Sequence, residues 1–297
     1  MTHNNNFNPL PWYTSLDQQN HRKSYAYGEI YPLFALANFM LPWQVQRPHK
    51  SGGVTSFNIY HEDGTLWRNV LSAAQSNITI VNNSYVDPYT GATVSYDNIV
   101  FSNVFPLYNN QPDGRYYAVM GDGTNTWYSE VYTVVQSLDN YLKIEWYDVA
   151  DLVYEGGRIV YSNVNYHNSV ALIAELGKPE YTFEDTGEDR DGFWFPEKQL
   201  SEKTYRFTFL APEYMCDALR IVRLSDYVII TDQFGVQYRP DKFLMTPKWL
   251  QNGDLASVTV EFQTDTVVKK IGQGVTSAPS GNEDFNNDFN NDFLIDN

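Results

Sequence analysis

Short segments typical of β-strands, divided by turn-forming residues, constrain the fold of this chain more than any other feature. Such segments include VTSFNIY (54–60), GRYYAVM (114–120) and TWYSEVYTVV (126–135). Turn-formers separate them in HEDGT (61–65) and GDGTN (121–125), and Asp-Gly is a strong hairpin signal. The aromatic share of 16% points the same way, because aromatic side chains favour strands. The sequence therefore predicts a mainly β protein built from antiparallel hairpins.

The length of 297 residues suits two domains, since single cores stop growing at about 250 to 300 residues. Several short strands at regular spacing predict an immunoglobulin-like β-sandwich over residues 24–137. A polar, Asn-rich arm over residues 1–23 precedes it. A second β-sandwich-like domain is expected over residues 138–271, followed by a flexible linker and tail over residues 272–297.

The second predicted domain shows clear alternation of apolar side chains. Three of its strands each place apolar residues on one face: Leu142, Ile144 and Trp146; Tyr205, Phe207 and Phe209; Val258, Val260 and Phe262. The more continuously apolar DYVIIT (226–231) predicts a strand covered on both faces. The acidic stretch Glu184–Gly192 is expected to interrupt the sheet as a loop.

One short helix is predicted near residues 212–224, between two strands. Pro212 suits the first turn of a helix, where its missing N–H is not needed. Asp217 and Arg220 can pair on the polar side of the helix. The opposite side gathers an apolar stripe of Met215, Ala218, Leu219 and Val222. We expect this stripe to cover a sheet.

Charge and composition argue against several classes of protein. A net charge of -16 opposes binding to nucleic acid or to anionic membranes, which draws on Lys and Arg. The N-terminus lacks the features of a signal peptide, and no apolar run is long enough to span a membrane. The single cysteine, Cys216, excludes an internal disulfide. We therefore expect synthesis in a reducing cytoplasm.

No motif in the sequence meets the positional demands of a catalytic site, so we expect no enzymatic activity, no cofactor and no metal. The five histidines, which show no paired spacing, are His3, His21, His49, His61 and His167. The acidic stretch Glu184–Gly192 holds five carboxylates but fails the spacing of an EF-hand loop. A solvated loop is favoured over a divalent-ion site, which remains the alternative.

Two groups of aromatic residues are candidates for binding a partner. Trp194, directly after the acidic stretch, is the tryptophan most expected to be exposed, and an interface or core role is favoured over a glycan platform. In the tail, Phe285, Phe289 and Phe293 lie four residues apart, so a helix would gather their rings on one face. The tail is either a docking peptide that orders on a partner or a disordered solubilising segment.

Three segments resemble proteins encoded among the virion-structure genes of tailed phages and prophages of Bacteroides-type bacteria: GFWFPEKQLSEKTYRF (192–207), KTYRFTFLAPEYMCDALRIVRLSDYVIITD (203–232) and FLMTPKWLQNGDLASVTVEFQTDTVVKKI (243–271). The likeness is strongest over residues 140–271, and YAYGEIYPLF (25–34) is more faintly similar to the N-terminal part of the same group. The DFNN repeat of the tail lies outside this pattern. These motifs are not catalytic signatures, and no functional residue is carried over from them.

The resemblance implies a bacteriophage structural protein, part of the tail or tail tip, made in the host cytoplasm and found in the virion. Its partners would be other virion subunits, with self-association into a homo-oligomer. The alternative is a carbohydrate-binding or host-surface recognition module, which requires an exposed aromatic platform with polar neighbours.

Overall fold

The computed structural model describes residues 10–17, 33–36, 43–74, 78–101, 111–135, 141–148, 168–249 and 255–270. These residues form a mainly β protein with several antiparallel sheets, as predicted. The strands are β1 Trp12–Tyr13, β2 Leu33–Leu36, β3 Trp43–Pro48, β4 Ser56–His61, β5 Leu66–Asn69, β6 Ile78–Val86, β7 Thr93–Phe101, β8 Gly114–Gly121, β9 Thr126–Ser129, β10 Tyr132–Val135, β11 Leu142–Tyr147, β12 Asn168–Leu172, β13 Glu180–Arg190, β14 Phe193–Pro212, β15 Tyr227–Thr231, β16 Gln237–Tyr238, β17 Lys242–Trp249 and β18 Leu255–Lys270. The helical elements are α1 Leu71–Ala74, α2 Glu213–Leu219 and the 3-10 turn Val222–Leu224.

The strands form three sheets. The largest has eleven strands, nine of them in the order β1-β9-β8-β10-β2-β12-β11-β15-β16, with β4 pairing to β5 and β8. Within this sheet β2 and β10 run parallel. A second sheet has the order β13-β14-β18-β17, and a third has the order β3-β7-β6.

The compact units of the chain do not follow the predicted division at residues 137 and 138. Among the described residues, one unit comprises those within 10–180 and 204–264, and the other comprises those within 181–203 and 265–270. Strands from both predicted domains share the largest sheet, because β2 pairs with β10 on one side and with β12 on the other. The immunoglobulin-like topology of the first predicted domain stays a prediction.

The hydrophobic core lies in the first unit and confirms the predicted alternation. The side chains that face it are buried on each of the three strands: Leu142, Ile144 and Trp146; Tyr205, Phe207 and Phe209; Val258, Val260 and Phe262. On β14, the alternate residues Arg206 and Thr208 are exposed. Full burial of each such side chain stabilises the fold by about 1.5 to 3 kcal/mol. DYVIIT differs from its prediction, since Ile230 is the one buried residue of β15.

Helix α2 buries the predicted stripe. Met215, Ala218 and Leu219 are fully buried, as is Val222 in the following 3-10 turn. Pro212 lies at the N-cap, one residue before the helix, in an extended conformation. On the polar side, an Arg220 guanidinium nitrogen lies 3.7 Å from a carboxylate oxygen of Asp217, as the spacing predicts.

Replacing Leu219 with alanine is expected to lower the free energy of unfolding by about 2 to 5 kcal/mol, because the side chain leaves a cavity in a fully buried site. Urea denaturation followed by tryptophan fluorescence would measure this loss. Leu224, which is 63% exposed, provides the matched control, and its replacement by alanine should change stability by about 0.5 kcal/mol or less. Equal losses from the two variants would contradict the assignment of the stripe.

The acidic stretch Glu184–Gly192 is not a loop, and that prediction is wrong. Strand β13 runs through it to Arg190, and residues 191 and 192 form a two-residue turn into β14. The carboxylates tolerate a strand here because most side chains of this segment are exposed and keep their water.

Candidate assembly surface

Residues 181–203, named here the aromatic ribbon, are most of β13 and the first half of β14, two neighbouring strands of the four-stranded sheet β13-β14-β18-β17. Its turn residues Asp191 and Gly192 have φ angles of 55° and 82°. Positive φ at both central residues is the requirement of a type I′ turn, and Asp-Gly is one of the dipeptides that meet it. The local sequence therefore specifies a tight hairpin at this point.

Gly187 allows the two strands of the ribbon to come close together. A Cβ atom at this position would lie 2.8 Å from the Cα of Pro196 and would also collide with the carbonyl oxygen of Phe195. Real Cβ atoms essentially never approach so closely, so a side chain here would push the strands apart. Gly187 thus sets the backbone spacing beside the aromatic residues of β14.

Large aromatic side chains are exposed along the ribbon. Their exposed fractions range from 48% to 75%, and the residues are Tyr181, Phe183, Phe193, Trp194 and Phe195. Successive side chains of a strand point to opposite faces, so Trp194 lies on the face opposite to Phe193 and Phe195. Both faces of the ribbon therefore present aromatic rings.

Trp194 occupies the exposed position that the sequence predicts for it, with 54% of its surface accessible. Trp12, Trp127 and Trp146 are buried in the core, whereas Trp249 is about half exposed. The other predicted binding residues, Phe285, Phe289 and Phe293, lie outside the described residues. The sequence reasoning missed the aromatic neighbours of Trp194 in the ribbon, although the Asp-Gly dipeptide between them signals the hairpin.

The ribbon is acidic as well as aromatic. It contains seven Asp and Glu residues against three Lys and Arg residues, which gives a formal charge of -4. Five of the carboxylates fall between Glu184 and Asp191, close in sequence to Phe193, Trp194 and Phe195. The ribbon thus combines apolar rings with a negative field.

A second cluster, which the sequence reasoning did not find, is a buried ion network around Arg47 on β3. Its Nε donates a hydrogen bond of 3.1 Å to Oδ2 of Asp97 on β7, and its Nη1 donates one of 2.8 Å to Oδ2 of Asp122. The guanidinium also donates to the carbonyl of Gly52 at 2.6 Å. The Arg47, Asp97 and Asp122 side chains are each at most 2% exposed. The network therefore ties three separate chain segments together inside the protein.

Asp122 also organises the turn that joins β8 and β9. Its Oδ1 accepts hydrogen bonds from the backbone N–H groups of Thr124 and Asn125, at 3.0 and 2.8 Å. The Nζ of Lys50 lies 2.8 Å from the same oxygen. Burial opposes the charged form of this carboxylate, but the hydrogen bonds from Asn125, Lys50 and Arg47 outweigh it and lower the pKa of Asp122 well below its ordinary value.

Asp97, like Asp122, is a buried carboxylate that accepts several hydrogen bonds. Its Oδ1 lies 2.7 Å from Nδ1 of the half-exposed His49 and accepts a hydrogen bond of 3.0 Å from the amide of Asn82. Burial acts to raise the pKa of Asp97, yet the bonds from His49, Asn82, the Lys50 backbone and Arg47 together lower it. Both carboxylates of the network thus stay ionised to low pH.

Acid is expected to weaken this network. Because the folded-state pKa values of Asp97 and Asp122 are lowered, their stabilisation is fully present above the unfolded pKa of about 3.9 and is lost as the pH falls through the folded values. Asp97→Asn removes one of these groups, so the difference in unfolding free energy between wild type and variant should shrink below about pH 4. Urea titrations from pH 7 to pH 3 would measure it, and a constant difference would contradict the assignment.

The described residues show no group of three or more His, Cys, Asp or Glu side chains that could hold a metal ion. Among them, no helix is both long and apolar enough to cross a membrane. The Cys216 thiol is buried in α2, and burial raises its pKa to about 11. Comparisons with protein-family models, curated proteins and solved structures find no match to this chain.

Proposed function

We propose that this protein is a non-enzymatic structural subunit of a bacteriophage virion, part of the tail or tail tip, that joins neighbouring subunits through the aromatic ribbon. The observation that carries the proposal is the exposure of aromatic rings on both faces of the ribbon. Buried aromatic residues dominate the energetics of protein interfaces. Assembly with other subunits would bury these rings.

The assignment to a virion draws on the resemblance of residues 140–271 to virion-structure proteins of Bacteroides-type phages. That range includes the whole aromatic ribbon. Exposed aromatic rings are enriched in the centres of protein interfaces, where charged residues are depleted. The resemblance and the exposed aromatic surface therefore fall on the same segment of the chain. In this proposal the protein acts by presenting a binding surface to neighbouring subunits.

The proposal is tested by measuring mass in solution. Light scattering after size-exclusion chromatography, with the protein alone and with purified products of the genes that flank its own, should show a stable oligomer or complex. A strictly monomeric protein that binds none of these products would refute the structural role.

A carbohydrate-binding or host-recognition role is the second candidate, and the exposed ring of Trp194 beside acidic residues favours it. An aromatic face can pack against the apolar face of a sugar while carboxylates accept hydrogen bonds from hydroxyls. Binding of a defined glycan by a monomeric protein, abolished by Trp194→Ala alone, would support this role over assembly.

The tail offers a further test of the assembly role. If it is a docking peptide, replacing Phe285, Phe289 and Phe293 together with serine should weaken assembly, because the rings would no longer fill apolar pockets. The thermal midpoint of the isolated subunit should stay nearly unchanged. If deletion of residues 272–297 leaves the affinity of assembly untouched, the tail is a solubilising segment.

A further inference from the structure

We infer that the aromatic ribbon inserts into an apolar groove of a different protein subunit, and that Lys and Arg residues form the rim of this groove. The inference rests on the assembly role proposed for the ribbon and specifies its partner. It follows from the placement of rings on both faces, the amount of exposed apolar surface and the charge of the ribbon.

The rings require cover on two sides. Phe193 and Phe195 lie on one face of β14, and Trp194 lies on the other, with all three at least 48% exposed. A two-fold contact between copies laid face to face would bury one face and leave the second in water. Insertion between two walls of a groove buries both faces at once.

The exposed aromatic surface is large enough for a specific contact. Taking about 200 Å² per ring, the five exposed aromatic residues together offer roughly 600 Å². This area is divided between the two faces of the ribbon, and one side of a standard interface covers about 800 Å². The rings can therefore supply most of one side of an interface.

Charge argues against the two partners that this chain itself provides. The ribbon carries a formal charge of -4 and the whole chain carries -16, so a second copy would bring like charges together. Residues 282–297 contain five Asp and Glu residues and no Lys or Arg, so the negative charge of the ribbon would also repel the tail of the chain. Like charges placed together at an interface cost several kcal/mol and suppress wrong partners.

A basic rim would complement both the negative charge and the exposed aromatic rings of the ribbon. Lys and Arg side chains beside the carboxylates between Glu184 and Asp191 would speed association and fix the orientation of the ribbon. An Arg of the rim could also stack on the face of Trp194, because guanidinium groups are attracted to aromatic faces. The partner is thus a basic, groove-bearing protein.

The test reverses charge in the ribbon without altering its rings. Glu184→Lys with Asp185→Lys changes two exposed carboxylates of β13, and Asp113→Lys with Glu175→Lys changes two exposed carboxylates outside the ribbon by the same amount. The probes are the purified products of the flanking genes. Binding of one product should weaken by about tenfold or more in the ribbon variant and by less than about threefold in the control.

Salt provides an independent measurement. Between about 0.1 and 1 M salt the screening length falls from about 10 to about 3 Å, so the wild-type affinity should drop steeply while the ribbon variant changes little. Equal binding by the wild type and the ribbon variant at low salt would overturn the basic rim. Thermal midpoints of both variants should match the wild type.

A measurement of self-association distinguishes failure of this inference from failure of the proposed function. If Phe193→Thr, Trp194→Thr and Phe195→Thr together dissociate an oligomer of the chain itself, the ribbon binds a second copy, and the inference fails while the assembly role stands. If the wild type forms neither an oligomer nor a complex with any product, the assembly role itself fails, and the inference with it.

Discussion

Replacing Arg47 with alanine is expected to lower the free energy of unfolding by about 3 to 5 kcal/mol. The change leaves Asp97 and Asp122 buried without the cation that bonds to both. Lys50, His49 and Asn82 still contact these carboxylates, but a buried charge that loses its bonded guanidinium is costly because the protein interior solvates it far less well than water does. The loss should appear in urea denaturation at pH 7, monitored by tryptophan fluorescence.

Arg206 is the matched control for this prediction. It is about half exposed and lies 2.7 Å from Glu261 in an ion pair on the surface of the sheet. Exposed pairs of this kind contribute about 0 to 1 kcal/mol, so Arg206→Ala should cost far less than Arg47→Ala. Arg47→Lys is also expected to destabilise, because an ammonium group cannot reproduce the forked contact with two carboxylates. Similar losses from Arg47→Ala and Arg206→Ala would show that the network does not stabilise the fold.

The elements that local sequence specifies could be predicted. Tyr205, Phe207 and Phe209 alternate with polar residues, and this pattern alone indicates which face of β14 is buried. Leu219 belongs to a stripe at helical spacing, and Pro212 marks where α2 begins. In each case the signal lies within one turn or one strand of the residue concerned, so no knowledge of the tertiary structure is needed.

The Arg47 network could not be predicted, because its members are far apart in the chain. Asp97 and Asp122 lie 50 and 75 residues from Arg47. The pairing of β3 with β7 places Asp97 opposite Arg47, whereas Asp122 follows β8 in a different sheet and reaches Arg47 through tertiary packing. Nothing near Arg47 in the sequence distinguishes it from an exposed arginine. The pairing of β2 with β12, which crosses the predicted boundary between residues 137 and 138, is likewise a long-range contact that local sequence does not signal.

The acidic stretch shows two local signals in conflict. Its five carboxylates favour a solvated loop, whereas Asp191-Gly192 favours a hairpin turn. The structure forms the hairpin turn that the dipeptide favours. Most side chains of the ribbon are exposed, so the carboxylates stay hydrated and lose little solvation free energy when strands form. Composition is therefore a weaker guide than turn chemistry where a segment has no core to enter.

Replacing Phe193, Trp194 and Phe195 together with threonine is expected to weaken assembly by at least about a hundredfold. Central aromatic residues of an interface each contribute about 2 kcal/mol or more, and each 1.4 kcal/mol corresponds to a factor of ten. Threonine keeps a high preference for strands, so the hairpin should be retained. Sedimentation velocity on the subunit alone and with its partner would measure the loss.

The stability of the subunit itself should barely change, because the three rings are about half or more exposed before assembly. Tyr89 and Phe234 provide the control, since they are 96% and 81% exposed and lie outside the ribbon. Their replacement by threonine removes comparable aromatic surface and should leave assembly intact. If the control variant weakens assembly as much as the ribbon variant does, the loss reflects general surface hydrophobicity, and the ribbon is not the interface. If the ribbon variant instead lowers the thermal midpoint of the isolated subunit, the rings stabilise the fold rather than a contact between subunits.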